Sequence, residues 1–255
     1  MELSSKQIEQ FNKDGYIIFP ELFTSDEIEI FKKEVDRVSK IRSEMVVREG
    51  EDEAVKIMFQ LHEENVETAS PPFRTAARSP RILRTAQQCL GDEELYLHHS
   101  KLNMKSAIEG SAWPWHQDFH SWHLDGIKQP EMVTVTVVLT EASPINGCMY
   151  VLPGSHKQGR SDPRWDDSTA YKLWVAKTSD MKEYMKKYSA PVPITGGAGT
   201  TAIFHCNLLH ASGHNLSSED RWQIFFCFNK CSNRPVDVEN PVSYTHLRAH
   251  ETKRN

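Results

Sequence analysis

A segment of regular alternation between apolar and polar residues constrains the fold of this chain most. From residue 133 to 140, valine or leucine stands at every odd position, and three of the four even positions are threonine. Such alternation is typical of a strand that buries one face in a core and turns the other towards a second layer or a cavity. Five more short segments of β-forming residues, separated by turn signals, follow residue 91: 95–104, 113–119, 149–152, 200–204 and 222–229. Six such strands predict a mainly β fold, a double-sheet jelly roll with flanking helices.

Two capping signals predict helices near the beginning of the chain. Gln7 follows Ser4 at a distance of three residues, and Glu27 follows Thr24 in the same way. At this spacing each side chain can bond the backbone N–H of the other residue, which is how a capping box starts a helix. We expect the first helix to end before a strand over residues 16–19.

The segment between residues 42 and 78 has no clear periodicity, and we expect its middle to be mobile. The pair Pro71-Pro72 predicts a loop there. Another helix is expected to start at Ser79-Pro80 and to stop at Gly91, a residue type that favours helix ends. Residues 159–191 form a polar insertion with a helix predicted over 180–188, either a lid or a decoration of the fold.

Composition excludes several classes of protein. The 255 residues include 30 basic and 35 acidic side chains, for a formal charge of −5, so nucleic-acid binding is not expected. No apolar run reaches membrane-spanning length, and the beginning of the chain is polar, so we expect a cytoplasmic protein with a small-molecule substrate and no membrane partner. The five cysteines lack the spacing of a zinc site or a disulfide framework, and we expect free thiols.

The sequence predicts one domain over residues 1–240. The following residues, 241–255, are expected to be disordered or non-native, because 242–252 resembles the translation of a sequencing adaptor. Oligomeric state is left open.

Two residues with metal-ligand chemistry lie two positions apart. If His116 and Asp118 stand on one strand, their side chains fall on the same face and can converge on one ion. The third ligand must come from elsewhere, and His210 follows the predicted strand over 200–204. Two imidazoles and one carboxylate on one face of a metal leave positions open for an organic co-substrate and O₂, as in non-haem Fe(II) oxygenases.

A carboxylate anchor is predicted beyond the third histidine. Arg221 stands eleven residues after His210, at the start of the last predicted strand. A guanidinium can hold a carboxylate through two parallel hydrogen bonds, and the hydroxyl of Ser212 can add another contact.

Taken together, the motifs resemble one family. They are Phe11-x-x-Asp14-Gly15-Tyr16, Trp115-His116-Gln117-Asp118, Pro153-Gly154-Ser155-His156-Lys157, His210-x-Ser212 and Arg221. This set resembles the phytanoyl-CoA hydroxylase-like (PhyH) family of Fe(II)/2-oxoglutarate-dependent dioxygenases. The resemblance implies a double-stranded β-helix, or cupin-like, core. It also implies Fe(II), 2-oxoglutarate and O₂ as cofactors, with ascorbate as a supporting reductant.

The resemblance implies roles for six residues of this chain. The iron ligands would be His116, Asp118 and His210. The distal carboxylate of 2-oxoglutarate would be held by Arg221 and Ser212, and Asn103 matches a position that contacts the other end of the co-substrate. The reaction implied is oxidative decarboxylation to succinate and CO₂, coupled to oxidation of a second substrate.

Within the family, the run from Trp115 to His123 is locally similar to ectoine hydroxylase. The chain departs from it near the substrate pocket, where His120 replaces a glutamate and His99 replaces a glutamine. We therefore expect a small polar, amino-acid-like substrate other than ectoine. Candidate substrate contacts are Trp122, His120 and His99.

Several alternatives stay open at the level of sequence. The presence of Asp118 as a ligand favours hydroxylation over halogenation, whereas desaturation and cyclisation stay open as alternatives, because substrate placement decides between them. A lipid or acyl-CoA hydroxylase of the same family is disfavoured, because no basic cluster for the CoA phosphates accompanies the motifs. A non-enzymatic jelly-roll binding protein is the remaining alternative.

Overall fold

The computed structural model describes residues 1–239, so the predicted tail 241–255 lies outside the described residues. The helices of the described part are α1 (Ser5–Asp14), α2 (Ser25–Val38), α3 (Pro71–Arg78), α4 (Pro80–Leu90), α5 (Phe119–Leu124) and α6 (Thr178–Lys187). Its first strands are β1 (Tyr16–Phe19), β2 (Val46–Glu49), β3 (Ala54–Phe59), β4 (Leu95–Lys105), β5 (Trp113–His116) and β6 (Met132–Val138). The later strands are β7 (Met149–Val151), β8 (Pro163–Asp166), β9 (Leu173–Ala176), β10 (Val192–Ile194), β11 (Thr201–His205), β12 (His210–Ser212) and β13 (Arg221–Lys230).

Both predicted capping boxes are present. The hydroxyl of Ser4 accepts a hydrogen bond from the backbone N–H of Gln7, while the Gln7 side chain accepts one from the Ser4 N–H at 2.9 Å. The same reciprocal pair joins Thr24 and Glu27 at the start of α2. These bonds satisfy backbone donors that have no partner within the helix, so local sequence starts both helices.

The segment between α2 and α4 is more regular than its sequence suggests. It contains the antiparallel strands β2 and β3 and the helix α3, so the loop predicted at Pro71-Pro72 is wrong. A proline in the first turn of a helix lacks only a backbone donor that would have no helical partner anyway, and Ser70 caps α3 by accepting from the Phe73 N–H.

The strands form two antiparallel sheets and a hairpin. The major sheet has the order β1-β11-β6-β13-β4-β3-β2, and the minor sheet has the order β10-β7-β12-β5. The hairpin β8–β9 lies in the insertion that the sequence predicts over 159–191, which also contains α6. The jelly-roll prediction is confirmed.

The two faces of the major sheet differ in chemistry. Its outer face packs against α1 to α4 in one apolar cluster, to which β6 contributes Val133, Val135 and Val137. Its inner face meets the minor sheet, where Phe204 and Phe225 pack among residues of β7 and β10. Other positions of the major sheet are polar and buried, among them Thr134, Thr136, Asn103, Gln223 and Arg221, so part of the region between the sheets is polar.

One strand prediction needs correction because it carries the site. The segment 113–119 is not a continuous strand: β5 ends at His116, and α5 begins at Phe119. Gln117 stands at the bend with a fully engaged amide, donating to the carbonyls of Gly159 and Asn207 at 2.8 and 2.7 Å. These bonds hold the chain in a turn between the two candidate ligands. No helix in the described residues has both the length and the apolar character needed to cross a membrane.

Candidate metal and co-substrate site

Two histidines meet across neighbouring strands of the minor sheet. His116 ends β5, His210 begins β12, and the two residues are direct antiparallel partners. Their ring centroids lie 4.1 Å apart, and both side chains are buried. The jelly roll thus joins residues that are distant in sequence.

Asp118 reaches the same point by a different route from the one we predicted. Its backbone is right-handed helical, with φ −55° and ψ −35°, so it does not share a strand face with His116. The turn before α5 carries its carboxylate back towards the imidazoles. One ligand atom from each of His116, Asp118 and His210 lies within 4.8 Å of the others, and all three residues are buried.

Hydrogen bonds orient both imidazoles. Nδ1 of His116 donates to the Pro114 carbonyl at 2.8 Å, and Nδ1 of His210 donates to the Leu208 carbonyl at 3.0 Å. With Nδ1 carrying the proton, each Nε2 keeps its lone pair for a metal. Burial lowers the pKa of both histidines, which favours the neutral form that binds metals.

The carboxylate of Asp118 has two partners that the sequence did not reveal. Thr134 donates to its Oδ2 at 3.0 Å, and the ammonium of Lys101 lies 3.4 Å from its Oδ1. Burial alone would raise the pKa of Asp118. The charge of Lys101, with the neighbouring imidazoles and the hydrogen bond from Thr134, outweighs burial and keeps that pKa below the ordinary value. The alternation in β6 and β4 is the signal that could have placed Thr134 and Lys101 on the inner face.

The predicted carboxylate anchor is a fully buried cation. Arg221 is 2% exposed, and its guanidinium donates to Gln223 Oε1 at 2.7 Å and to the Gly147 carbonyl at 3.1 Å. Burial lowers the pKa of Arg221 to about 10, so the group stays charged at neutral pH. Arg221 forms no ion pair with a carboxylate in residues 1–239, and its Nε has no hydrogen-bond partner there. A buried charge is costly unless an opposite charge lies beside it, so the guanidinium of Arg221 favours the binding of an anion.

Two further polar atoms without partners lie beside the guanidinium along the sheet. Asn103 pairs with Gln223 across β4 and β13, and both side chains are buried. Neither Asn103 Oδ1 nor Gln223 Nε2 has a partner within the described part of the chain. Buried polar atoms are normally hydrogen-bonded, so this row fits a polar ligand such as a dicarboxylate.

Ser212 is placed by the minor sheet. It stands two residues beyond His210 on β12, next to Trp113 on one side and Met149 on the other. The side chain is 7% exposed. The structure therefore puts Ser212 on the same short strand as a candidate metal ligand.

The candidate substrate residues differ in their surroundings. Trp122 is buried in α5, with its ring edge-on to His98 at 5.7 Å. His99 is buried beside Phe59, and its Nδ1 has no partner among the described residues. His120 has both ring nitrogens engaged, Nδ1 by the Gln117 N–H and Nε2 by the Ser161 hydroxyl at 2.9 Å, which argues against a substrate contact.

Comparison with known proteins places this geometry in a family. The model for phytanoyl-CoA dioxygenase (PhyH) matches residues 11–222. Ectoine dioxygenases of Nocardia farcinica and Sphingopyxis alaskensis are each 30% identical to the chain. The alignments cover 92% and 94% of this chain, respectively, and 81% of each relative.

Solved structures agree with the sequence comparison. EctD from S. alaskensis with 2-oxoglutarate and 5-hydroxyectoine superposes with a TM-score of 0.82 at 29% identity, covering 96% of this chain and 83% of that one. EctD with bound Fe gives a TM-score of 0.80 at 29% identity, covering 94% and 82%. Because the family model spans most of the chain and relatives 30% identical cover more than nine-tenths of it, the chain belongs to the phytanoyl-CoA dioxygenase (PhyH) family and is an Fe(II)- and 2-oxoglutarate-dependent oxygenase.

Proposed function

We propose that this chain hydroxylates a small polar, amino-acid-like metabolite and releases succinate and CO₂. The observation that carries the proposal is the convergence of His116, Asp118 and His210 within 4.8 Å, together with the buried guanidinium of Arg221, which has no carboxylate partner in residues 1–239. The substrate class is supported by the similarity to ectoine dioxygenases over more than nine-tenths of the chain. Ectoine itself is not our first candidate, because His99, whose Nδ1 has no partner in the described residues, departs from the pattern of those enzymes.

In this proposal His116, Asp118 and His210 hold Fe(II) on one face. Iron and 2-oxoglutarate bound there supply the chemistry that activates O₂. The Pro114 and Leu208 carbonyls keep the two imidazoles in the binding tautomer. Thr134 donates to Asp118 Oδ2, and Oδ1 lies 3.4 Å from Lys101 Nζ and 3.9 Å from His210 Nε2, so the ligands are oriented before a metal arrives.

The co-substrate is assigned to the polar row of the major sheet. Arg221 and Ser212 bind the distal carboxylate, and Asn103 binds nearer the metal. The guanidinium is already held by Gln223 and Gly147, which restricts its rotation and lowers the entropy lost on binding. The buried setting excludes water, and this strengthens each charge-assisted hydrogen bond to the carboxylate.

The substrate is assigned to the side of the site formed by α5 and the middle of β4. Trp122 would supply an apolar wall, and His99 Nδ1 would offer a hydrogen bond to a polar group. Burial lowers the pKa of His99 well below its ordinary value, so the ring is neutral and can donate or accept. A cytoplasmic location and one domain over residues 1–240 are further proposals. All five cysteines are free thiols, as expected for a reducing compartment.

A substrate screen tests the function. Purified protein with Fe(II), 2-oxoglutarate and ascorbate would be incubated with cyclic and linear amino acids, ectoine and acyl-CoA esters. Succinate would be quantified and products would be searched by mass for one added oxygen atom. We expect turnover with an amino-acid-like compound and none in Asp118→Ala. Turnover of an acyl-CoA alone would overturn the substrate class, and absence of both succinate formation and iron binding would overturn the enzyme assignment.

A further inference from the structure

His120 is a buried imidazole that the proposed reaction does not use. It lies in α5, two residues after the proposed iron ligand Asp118, and it is 0% exposed. Both ring nitrogens have polar partners within the protein, so neither is left for a ligand. A buried polar side chain with all its hydrogen bonds made inside the protein fixes the segments that it joins, and the partners of His120 identify those segments.

The Nδ1 side of the imidazole closes the turn that carries Asp118. The backbone N–H of Gln117 donates to His120 Nδ1 at 3.4 Å, and the backbone N–H of His120 donates back to the Gln117 carbonyl at 3.0 Å. This reciprocal pair has the pattern of a capping box, with an imidazole in place of the usual Glu or Gln side chain. The two bonds enclose Asp118 and Phe119, so they restrict the backbone from which the carboxylate ligand projects.

The Nε2 side of the imidazole reaches the insertion over residues 159–191. Nε2 lies 2.9 Å from Ser161 Oγ, and Ser161 Oγ in turn donates to Gln117 Oε1 at 3.2 Å. The backbone N–H of Ser161 donates to the same oxygen at 2.9 Å. Gln117, His120 and Ser161 thus form a cyclic network, in which each residue both donates and accepts. Hydrogen bonds in series polarise one another, so the network is stronger than its separate bonds.

The cyclic network requires one tautomer of His120. A backbone N–H can only donate, so Nδ1 is an acceptor and the proton of the neutral imidazole is on Nε2. Nε2–H then donates to Ser161 Oγ, whose own proton is free to reach Gln117 Oε1. Burial lowers the pKa of His120 to about 4, against the opposite effect of a hydrogen bond to the Trp174 backbone, so the imidazole is neutral at neutral pH.

We propose that His120 is a positioning residue for the iron ligand Asp118, and that it acts by joining the ligand turn to Ser161 of the insertion through the cyclic network. The inference rests on the proposed function, because it takes Asp118 as an iron ligand. The amide of Gln117 alone anchors only the residue before Asp118. With His120 the backbone is held on both sides of the carboxylate, so less freedom is lost when the ligands converge on an ion.

Nuclear magnetic resonance tests the tautomer in the unmodified, metal-free protein. Long-range proton–nitrogen correlation spectra at neutral pH distinguish a bare imidazole nitrogen from a protonated one. The signals of His120 would be assigned through their connection to its backbone signals. We expect a bare Nδ1 and a protonated Nε2. A proton on Nδ1, with or without one on Nε2, would overturn the cyclic network and the proposal with it.

Metal affinity tests the positioning role. His120→Leu removes both side-chain bonds, and calorimetric titration with Mn(II), which replaces iron without redox chemistry, should show an affinity about tenfold lower. His120→Gln should keep most of the affinity, because its amide offers an acceptor and a donor. The matched control on the same helix is His123→Leu, which should bind Mn(II) normally, since His123 bonds the Ile127 carbonyl. Unchanged affinity in His120→Leu, or equal losses in His120→Leu and His120→Gln, would contradict the proposal.

Ser161→Ala breaks the cyclic network from the other side by removing one hydroxyl, and it keeps the proposal testable if His120→Leu does not fold. It should lower Mn(II) affinity about threefold, and unchanged affinity would overturn the proposal. The double variant should lose no more than His120→Leu alone, because both changes break one network, whereas additive losses would contradict it. Failure of the unmodified protein to bind Mn(II) would instead refute the proposed function and leave the tautomer measurable, so the two failures are distinguishable.

Discussion

Single residues determine how the candidate metal site is prepared for an ion. Each candidate histidine donates Nδ1–H to the carbonyl two residues before it, and Asp118 receives a hydroxyl and an ammonium. These partners fix tautomer and rotamer, which a ligand motif in the sequence does not specify. The spacing of His116, Asp118 and His210 was sufficient to predict the metal site. Alternation could place Thr134 and Lys101 on the inner face, but their contacts with Asp118 could be recognised only once the structure was known.

The hydroxyl of Thr134 gives the first prediction. Thr134→Val removes the hydrogen bond to Asp118 with little change of shape, so affinity for Fe(II) or Mn(II) should fall about 10- to 100-fold. Isothermal titration calorimetry with Fe(II) or Mn(II) measures the metal affinity. Thr136→Val is the matched control, because Thr136 donates to the Ile224 carbonyl on the same face, away from the ligands. Equal metal affinities of the two variants would contradict the role assigned to Thr134.

Removal of the guanidinium gives the second prediction. Arg221→Ala should raise the KM for 2-oxoglutarate at least about 30-fold, since losing one partner of a buried charge pair costs about 2–5 kcal/mol. Metal binding should change little, because Arg221 contacts no candidate ligand. Steady-state kinetics with varied 2-oxoglutarate, together with metal titration, separates the two effects. An unchanged KM would show that the anchor lies elsewhere.

At the scale of elements, the sequence was most informative where local chemistry decides the structure. The capping boxes at Ser4 and Thr24 correctly predicted α1 and α2, because the stabilising bonds lie within a few residues. The end of β5 was predicted incorrectly. Its bend depends on Gln117, whose partners Gly159 and Asn207 are distant in sequence. The hairpin β8–β9 was missed for the related reason that it is stabilised by packing on Trp113 and its neighbours.

The turn before β7 gives a prediction at this scale. Gly147 has a φ of +72°, a Cβ there would lie 2.6 Å from the Gly213 carbonyl oxygen, and its own carbonyl accepts from Arg221. Gly147→Ala should therefore lower the free energy of unfolding by about 1–3 kcal/mol and also raise the KM for 2-oxoglutarate.

The matched control for this turn is Gly197→Ala. No atom lies within 4 Å of a Cβ built at Gly197, and its φ is outside the left-handed region. Chemical denaturation and kinetics of the two variants would be compared. If both variants lost the same stability and kept the same KM, the turn would have no particular role in holding Arg221.

At the scale of the whole molecule, the two faces of the major sheet have different roles, one in stability and the other in function. The outer face of the major sheet forms the main apolar core with α1 to α4, whereas its inner face presents buried polar groups to the minor sheet. Alternation in the sequence predicted this division for β6. It did not reveal how β4 and β13 align, and that alignment brings Arg221, Lys105 and Asn103 into one row.

Because Asn103 Oδ1, Gln223 Nε2 and Arg221 Nε have no hydrogen-bond partner within residues 1–239, bound ligands should stabilise the whole domain. Mn(II) with 2-oxoglutarate at about 100 times its Kd should add about 2.7 kcal/mol, and Tm should rise by about 5–10 °C. Thermal unfolding with and without ligands measures this shift. The shift should vanish in Asp118→Ala, and an equal shift there would place binding at another site.

The position of the metal tests the central claim most directly. Crystals grown with Fe(II) under anaerobic conditions would be measured by anomalous scattering on both sides of the iron absorption edge. We predict one strong iron peak within about 2.0–2.3 Å of His116 Nε2, His210 Nε2 and a carboxylate oxygen of Asp118. A peak at other residues, or none in protein that retains one iron per chain, would contradict the account.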